Sequence, residues 1–391
     1  MTYLREALTA RVGEFIQLRR DIHRHPELAF EEHRTAELVA SKLESWGYQV
    51  HRGLGGTGVV GTLQRGTSTR SLGLRADMDA LPIQEASGAE WSSTKPGLMH
   101  ACGHDGHTAM LLAAAHELAL NSEFDGVLHL IFQPAEEGGG GALRMMQDGL
   151  FDLFPCDAIF AMHNMPGVPV GQFVFRSGSA MASSDYVTIR VNGTGGHGGM
   201  PHRAADSLVA AASIVMALQT VVSRNVDPLH TAVVTVGALH AGQANNVIPA
   251  LATLELSVRA LDPDVRRLLE QRIKALVVAQ AESFGVNAEV DWRSGYCVLV
   301  NTVAETDFAR QVALDLVGAE RVTLNGPALT GSEDFAFMLE KIPGSYLLIG
   351  NGDGDSAGAC MVHNPGYDFN DDNIATGAAY WVALVERYLS T

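Results

Sequence analysis

The sequence predicts an α/β fold in which a discontinuous α/β domain is interrupted by an inserted, ferredoxin-like α+β domain. Three observations carry that reading. Apolar strand-like runs alternate with helical patterns in the first part of the chain. Near Ser184 the order changes to strand–helix–strand–strand–helix–strand. Finally, 391 residues exceed what one hydrophobic core usually holds, so two domains are the default.

The opening segment, up to about residue 50, reads as helices: Leu38, Leu43 and Trp46 recur at helical spacing and Gly47 supplies a stop. Gly58 to Leu63 and Ser71 to Arg75 are β-rich. Ala109 to Leu120 reads as helix. Val127 to Phe132 is apolar except for His129 and suits a buried strand. Ala142 to Gln147 is a short helix behind four glycines, and Ala158 to Met162 is another buried strand. In the insertion, Tyr186 to Val191 alternates as a strand and Ala204 to Val222 is a long amphipathic helix. Thr231 to Leu239 and Leu251 to Arg259 are strands. Val265 to Phe284, between Pro263 and Gly285, is a second helix, and Ala288 to Trp292 closes the unit. The α/β style then resumes and ends in a helix from Asp371 to Tyr388. The boundaries that follow are 1–183 plus 295–391 around an insertion at 184–294.

Composition narrows the function classes. Hydrophobic residues make up 47% of the chain, so a cored protein is expected and disorder is not. The net charge of −17 repels nucleic acid and anionic membrane surfaces and favours solubility. Met1 to Glu14 is polar and amphipathic, unlike a signal peptide. No stretch reads as the ~18 apolar residues of a membrane span. The four cysteines, Cys102, Cys156, Cys297 and Cys360, are scattered and form no CxxC; reduced thiols and a cytoplasmic location are expected.

Five places carry residues that bind divalent metals. Met99 to His107 holds one thiol, one carboxylate and three imidazoles in nine positions. Glu136 and Glu137 follow a buried strand, as does His163. His363 stands in a loop, and Asp77 and Asp79 follow the Ser71 strand. Sites in open α/β sheets form beyond the carboxyl ends of the strands, so these segments can converge. Charged groups there are costly unless paired or bound to a cation. Each residue has a plainer reading by itself: His363 as a surface residue, Glu136-Glu137 as a helix start, Asp79 as a turn residue, Cys102 as a small core side chain. Taken together, those readings lose to metal binding. Thiolate, imidazole and carboxylate donors suit zinc, manganese, cobalt or nickel. More than four donors point to two metals, the arrangement that suits hydrolysis. Adjacent Glu136 and Glu137 allow one to bind metal while the other moves protons.

The same residues carry a resemblance. His23-Arg24-His25-Pro26-Glu27-Leu28, the Asp77–Pro82 segment, Cys102-Gly103-His104-Asp105-Gly106-His107, Pro134-Ala135-Glu136-Glu137, Met162-His163-Asn164 and Gly331-Ser332-Glu333-Asp334-Phe335 occur in this order. Over nearly its whole length the chain resembles the M20 metallopeptidase family, in its amidohydrolase branch. That branch includes hippurate hydrolases, N-acyl amino acid aminoacylases and auxin-conjugate hydrolases. The resemblance implies a metallopeptidase-type catalytic domain with two divalent metals held by Cys102, His104, Glu137, His163 and His363. It implies Glu136 as general base and proton shuttle, and Asp79 as the aspartate that orients a ligand. Asp77 stands where the peptidase branches place a histidine ligand, and Cys102 where they place a bridging carboxylate. The inserted domain implies dimerisation, with His197 of the Gly195-Gly196-His197 loop stabilising the oxyanion. Asn246 and Arg259 match positions that hold the substrate carboxylate, a task suited to Arg. The implied reaction hydrolyses an N-acyl amino acid, the small-molecule partner, to a carboxylic acid and a free amino acid.

Rival readings remain at this point. A dipeptidase or carboxypeptidase of the same family would share these residues, and so would a non-catalytic, metal-dependent binding protein. A cysteine-nucleophile amidase would use Cys102 and a histidine. Two GxGxxG matches, Gly53 to Gly58 and Gly193 to Gly198, allow a dinucleotide oxidoreductase; the first precedes a strand, and the strand after the second lacks the ribose-binding acid.

Overall fold

The computed structural model describes residues 2–390, with side chains from residue 11 onward. The side chains behind the polar reading of Met1 to Glu14 therefore lie mostly outside the described residues. The chain divides into two compact units. The first comprises Met1–Gly178, Val300–Pro327 and Asp334–Thr391, and the second Ser179–Leu299 with Ala328–Glu333. The short stretch 328–333 thus groups with the insertion, because Ala182 and Ala180 pair with Leu329 and Gly331 through backbone hydrogen bonds.

An eight-stranded mixed sheet organises the first unit. Its order is Gln49–Leu54, Gly58–Arg65, Gly126–Gln133, Ser71–Asp77, Ala158–Pro166, Gly344–Gly352, Phe173–Val174 and Val322–Thr323. The central strands Gly126–Gln133, Ser71–Asp77, Ala158–Pro166 and Gly344–Gly352 run parallel. Every residue of Ser71–Asp77 is buried, as expected of a strand covered on both faces. Helices His104–Asn121 and Asn373–Tyr388 bury most of their residues, and their apolar side chains join the same core as Leu72, Leu74, Phe132 and Phe160. The outer hairpin Gln49–Leu54 is mostly exposed and lacks an apolar pattern, so periodicity does not announce it.

The second unit is a four-stranded antiparallel sheet in the order Ala232–Ala241, Leu251–Ala260, Asp185–Asn192, Asn287–Ser294. Helices Ser207–Asn225 and Pro263–Ser283 pack on it, which is the ferredoxin-like plan. Asp206 and Asp262 cap them, each accepting from two backbone amides of the first turn. Helix Ser207–Asn225 is long and apolar enough, by composition, to cross a bilayer. The expectation that no segment has that character is corrected here. The helix nonetheless buries Ala210, Ala211, Ile214, Leu218 and Val221 against the sheet.

Candidate metal centre and active site

The parallel strands deliver the predicted donors to one end of the sheet. Asp77 ends one strand and Asp79 follows it; Glu136 and Glu137 follow Gly126–Gln133; His163 lies near the end of Ala158–Pro166. Cys102 and His104 stand at the start of helix His104–Asn121. Gly103 makes that approach feasible. Its φ is +90°, and a Cβ there would fall 2.3 Å from Asn164 Nδ2 and 2.4 Å from the Tyr367 hydroxyl. Those two groups are needed where they are: Asn164 Nδ2 donates to Cys102 O at 2.7 Å, and Tyr367 donates to Asn164 Oδ1 at 2.8 Å.

The donor atoms converge. One ligand atom each from Cys102, His104 and His163 lies within 4.8 Å of the others, and the same holds for Cys102, Glu137 and His363 and for His104, Glu136 and Glu137. Cys102 Sγ and His163 Nε2 are 3.4 Å apart. His363 Nε2 is 3.1 Å from Glu137 Oε1. The His363 backbone is left-handed, with φ +63°, and its amide donates to Ala101 O at 2.7 Å, tying the loop to the Cys102 segment.

Neighbours fix how these rings point. His163 Nδ1 donates to Asn164 O at 2.6 Å, which leaves Nε2 as the lone-pair nitrogen. His104 Nδ1 is 3.1 Å from Asp79 Oδ1, and Asp79 Oδ2 accepts from the Glu137 amide at 2.9 Å. Asp79 therefore orients a candidate ligand ring and a candidate ligand backbone together. Asp77 is occupied otherwise. Its Oδ1 meets His107 Nδ1 at 2.6 Å and its Oδ2 accepts from Arg75 Nη1 at 2.7 Å. His107 Nε2 in turn accepts from the Asn164 amide at 3.0 Å. Both nitrogens of His107 are thus engaged, and it buttresses the centre. Sequence reasoning counted His107 among the metal-binding imidazoles of the Met99–His107 segment but did not separate it from the ligands as a buttress; its three-residue spacing from His104 on one helix was the available signal. His100, from the same motif, is buried beside His23 with 6.2 Å between ring centroids.

The electrostatics are those of a buried acidic pocket. Burial pushes the Cys102 thiol well above its ordinary value, and Glu137, Glu136 and Asp77 add to this. Burial would lower His104, but Asp77 and Asp79 outweigh it and raise the ring to about 10. Burial, with His107 beside it, holds His163 well below the usual imidazole range. The hydrogen bond to Glu137 raises His363.

This donor set fits divalent cations. His104 Nε2 is buried without a hydrogen-bond partner among the described residues; Asp77 and Glu137 oxygens stand 3.8 and 4.0 Å away. An orphaned imidazole nitrogen facing a thiol and carboxylates is what a cation satisfies.

In the second unit, His197 and Asn246 lie together. His197 pairs with Val247, and Gly198 N donates to Asn246 O at 2.8 Å; both side chains are exposed. Arg259 is half-buried near the other end of strand Leu251–Ala260, its Nη1 donating to Ser332 Oγ at 3.2 Å. The unit does not bring Arg259 to His197.

Fold and site together define a hydrolase that works with metal. The family model for peptidase family M20/M25/M40 matches residues 73–387, and the chain belongs to that family. It is similar to the hippurate hydrolase of Campylobacter jejuni, with 45% identity covering 96% of this chain and 97% of that protein. It is also similar to the N-acetyl-L-cysteine deacetylase of Bacillus subtilis, with 37% identity over 97% of this chain and 89% of the relative. Among solved structures, the Bacillus subtilis YXEP protein, described as a dinuclear metal binding peptidase of the M20 family, superposes with a TM-score of 0.85. Its identity is 31%, covering 98% of this chain and 99% of that one. The chain is a hydrolytic enzyme of the amidohydrolase branch of this family.

Proposed function

We propose that this enzyme hydrolyses the amide bond of N-acyl amino acids, with hippurate-like and N-acetyl conjugates as the leading substrates. The observation that carries the reading is the convergence of Cys102, His104, Glu137, His163 and His363 around buried Glu136. The similarity to a hippurate hydrolase and an N-acetyl-L-cysteine deacetylase supports the substrate class. Those five residues hold two divalent ions, with manganese, zinc, cobalt or nickel as candidates. When bound, such ions supply Lewis acidity toward the amide carbonyl and lower the pKa of water. Glu136 takes the proton of the attacking water on its carboxylate and delivers it to the leaving nitrogen. Asp79 keeps His104 and Glu137 in register. His197 donates toward the developing oxyanion. Arg259 and Asn246 bind the substrate carboxylate.

The second unit supports a homodimer. Arg259 is eight residues along its strand from Leu251, about 26 Å at the usual rise, whereas Leu251 pairs with Asn192 beside the His197 loop. One small substrate cannot span that distance, so one of the two ends serves the site of a second copy, and we assign His197 and Asn246 to that role. Mixing Glu136→Ala with His197→Ala subunits should then restore about a quarter of wild-type activity, since one site in each mixed dimer is intact. No recovery on mixing verified heterodimers places His197 in its own subunit's site.

The test of the function is amine release from N-acetyl and N-benzoyl amino acids and dipeptides, after EDTA treatment and reloading with each metal. Metal-dependent release that favours N-acyl amino acids upholds the proposal. Preference for dipeptides would move it to the peptidases of the family, and metal binding without turnover would make this chain a binding protein.

A further inference from the structure

The two amides that flank Glu136 are each held by a buried carboxylate. The Glu137 amide donates to Asp79, as described. On the other side, the Ala135 amide donates to Glu32 Oε1 at 2.9 Å. Glu32 comes from far away in sequence, at the start of helix His33–Ser45, and its side chain is fully buried. It is itself locked: Oε1 also accepts from the Phe30 amide at 3.0 Å, and Oε2 accepts from Thr57 Oγ1.

The peptide that Glu32 grips is held in an unfavourable conformation. Ala135 has φ +54°, in the left-handed region that a residue with a Cβ adopts only when its surroundings impose it. Its side chain is fully buried, and its carbonyl accepts from the Gly141 amide at 3.0 Å. The turn directs the chain out of the strand so that Glu136 falls beside His104 and Glu137. Helix capping gives no reason for a carboxylate at position 32 to point this way, since the side chain makes no cap hydrogen bond to its own helix.

We infer that Glu32 is a positioning residue for the hydrolysis: by holding the left-handed Ala135 peptide, it aims the Glu136 carboxylate at the reacting water. This rests on the reading of Glu136 as general base. Asp79 and Glu32 then act as a pair of clamps on alternate amides, one fixing the candidate ligand Glu137 and the other the base.

The test compares kcat, KM, bound metal and melting temperature in Glu32→Met, Glu32→Gln and Ala135→Gly, with Glu136→Ala alongside. Glu32→Met fills the space but offers no acceptor. Its kcat should fall roughly 10- to 100-fold, the scale of a misplaced catalytic group, with KM and metal content within about twofold of wild type. Glu32→Gln keeps an acceptor oxygen for the Ala135 amide and should recover most of kcat. Ala135→Gly keeps every partner and takes the left-handed turn without strain, so alone it should keep kcat near wild type, and in the Glu32→Met background it should restore part of the lost kcat. Wild-type kcat in Glu32→Met overturns the inference. So does a fall matched by metal loss, or a Glu32→Gln enzyme as slow as Glu32→Met. If Glu32→Met does not fold, Glu32→Asp, whose shorter side chain falls short of the Ala135 amide, takes its place, and wild-type kcat in it overturns the inference. An active Glu136→Ala enzyme defeats the general-base reading; an inactive one beside a fully active Glu32→Met defeats only the role of Glu32.

Discussion

Arg75→Met tests how the acidic strand ends are held. Arg75, Asp77 and Asp334 have side chains exposed by 1%, 1% and 0%. Arg75 Nη1 donates to Asp77 at 2.7 Å, Nη2 to Asp334 at 3.1 Å, and Nε to Gln133 Oε1 at 2.8 Å. Burial alone would raise the Asp77 carboxyl, yet it lies well below its ordinary value because His104, Arg75 and His107 face it. Removing the guanidinium leaves two buried carboxylates short of the cation they share. Breaking a buried pair in this way costs about 3–5 kcal/mol. At about 2 °C per kcal/mol for a unit of this size, the melting temperature should drop by roughly 6–10 °C. Scanning calorimetry at neutral pH, with metal content matched, reads this directly. The triple variant Arg75→Met/Asp77→Asn/Asp334→Asn removes the stranded charges too and should melt above the single variant. A single variant within about 2 °C of wild type, or a triple variant that melts below it, would refute the account.

Three further outcomes follow from the same geometry. Asp79→Ala should weaken metal binding about 10- to 100-fold in a chelator-competition titration, because His104 and the Glu137 amide both lose their partner. Cys102→Ser should cost zinc affinity more than manganese affinity, since the soft thiolate is what zinc prefers; equal losses would refute the soft-donor argument, and no loss of either would remove Cys102 from the ligand set. Stability should follow the buried pair His23–Glu85, which sits 3.3 Å apart with Asp105 2.8 Å from the other ring nitrogen. Burial lowers His23, but Asp105 and Glu85 outweigh it and raise the ring from 6.5 to about 9, so its contribution is whole below pH 6.5 and lost as pH rises through about 9. Burial raises Glu85, but His23, Ser87 and the Ser93 amide bring it from 4.5 to about 2, so its contribution is whole above pH 4.5 and lost as pH falls through about 2. His23→Gln should therefore lower the melting temperature most between pH 4.5 and 6.5 and converge on wild type above about pH 9; an offset constant with pH would exclude the ion pair.

Much of the fold was legible because its elements bury continuous apolar runs. The strands Gly126–Gln133 and Ala158–Pro166 and the helix pattern of Pro263–Ser283 read directly from periodicity. The hairpin strand Gln49–Leu54 did not, since a half-exposed edge strand has no apolar stripe to show. The donors of the candidate site were legible for a different reason: Cys, His, Glu and Asp clusters at strand ends are rare without a cation to hold. What the sequence could not show is the layer behind them. Arg75, Gln133 and Asp334 join through hydrogen bonds between residues 58 to 259 positions apart. Glu32 reaches Ala135 across 103 positions. No local pattern records such pairings.

That hidden layer decides which histidines remain open to a metal. Cys102-Gly103-His104-Asp105-Gly106-His107 offers two imidazoles one helical turn apart, and spacing alone cannot separate them. The partners can. His107 has Asp77 on one nitrogen and the Asn164 amide on the other. His104 has Asp79 on one nitrogen, and its second is left without a hydrogen bond among the described residues. An aspartate at position 77 therefore does more than stand where a histidine ligand would stand in related peptidases. Its two oxygens engage Arg75 and His107, while Cys102 with His163, and Glu136 with Glu137, bring further donors close to His104. On the proposed ligand set the thiol is the soft donor and His107 the buttress, so the choice of metal should change with Cys102 rather than with Asp77.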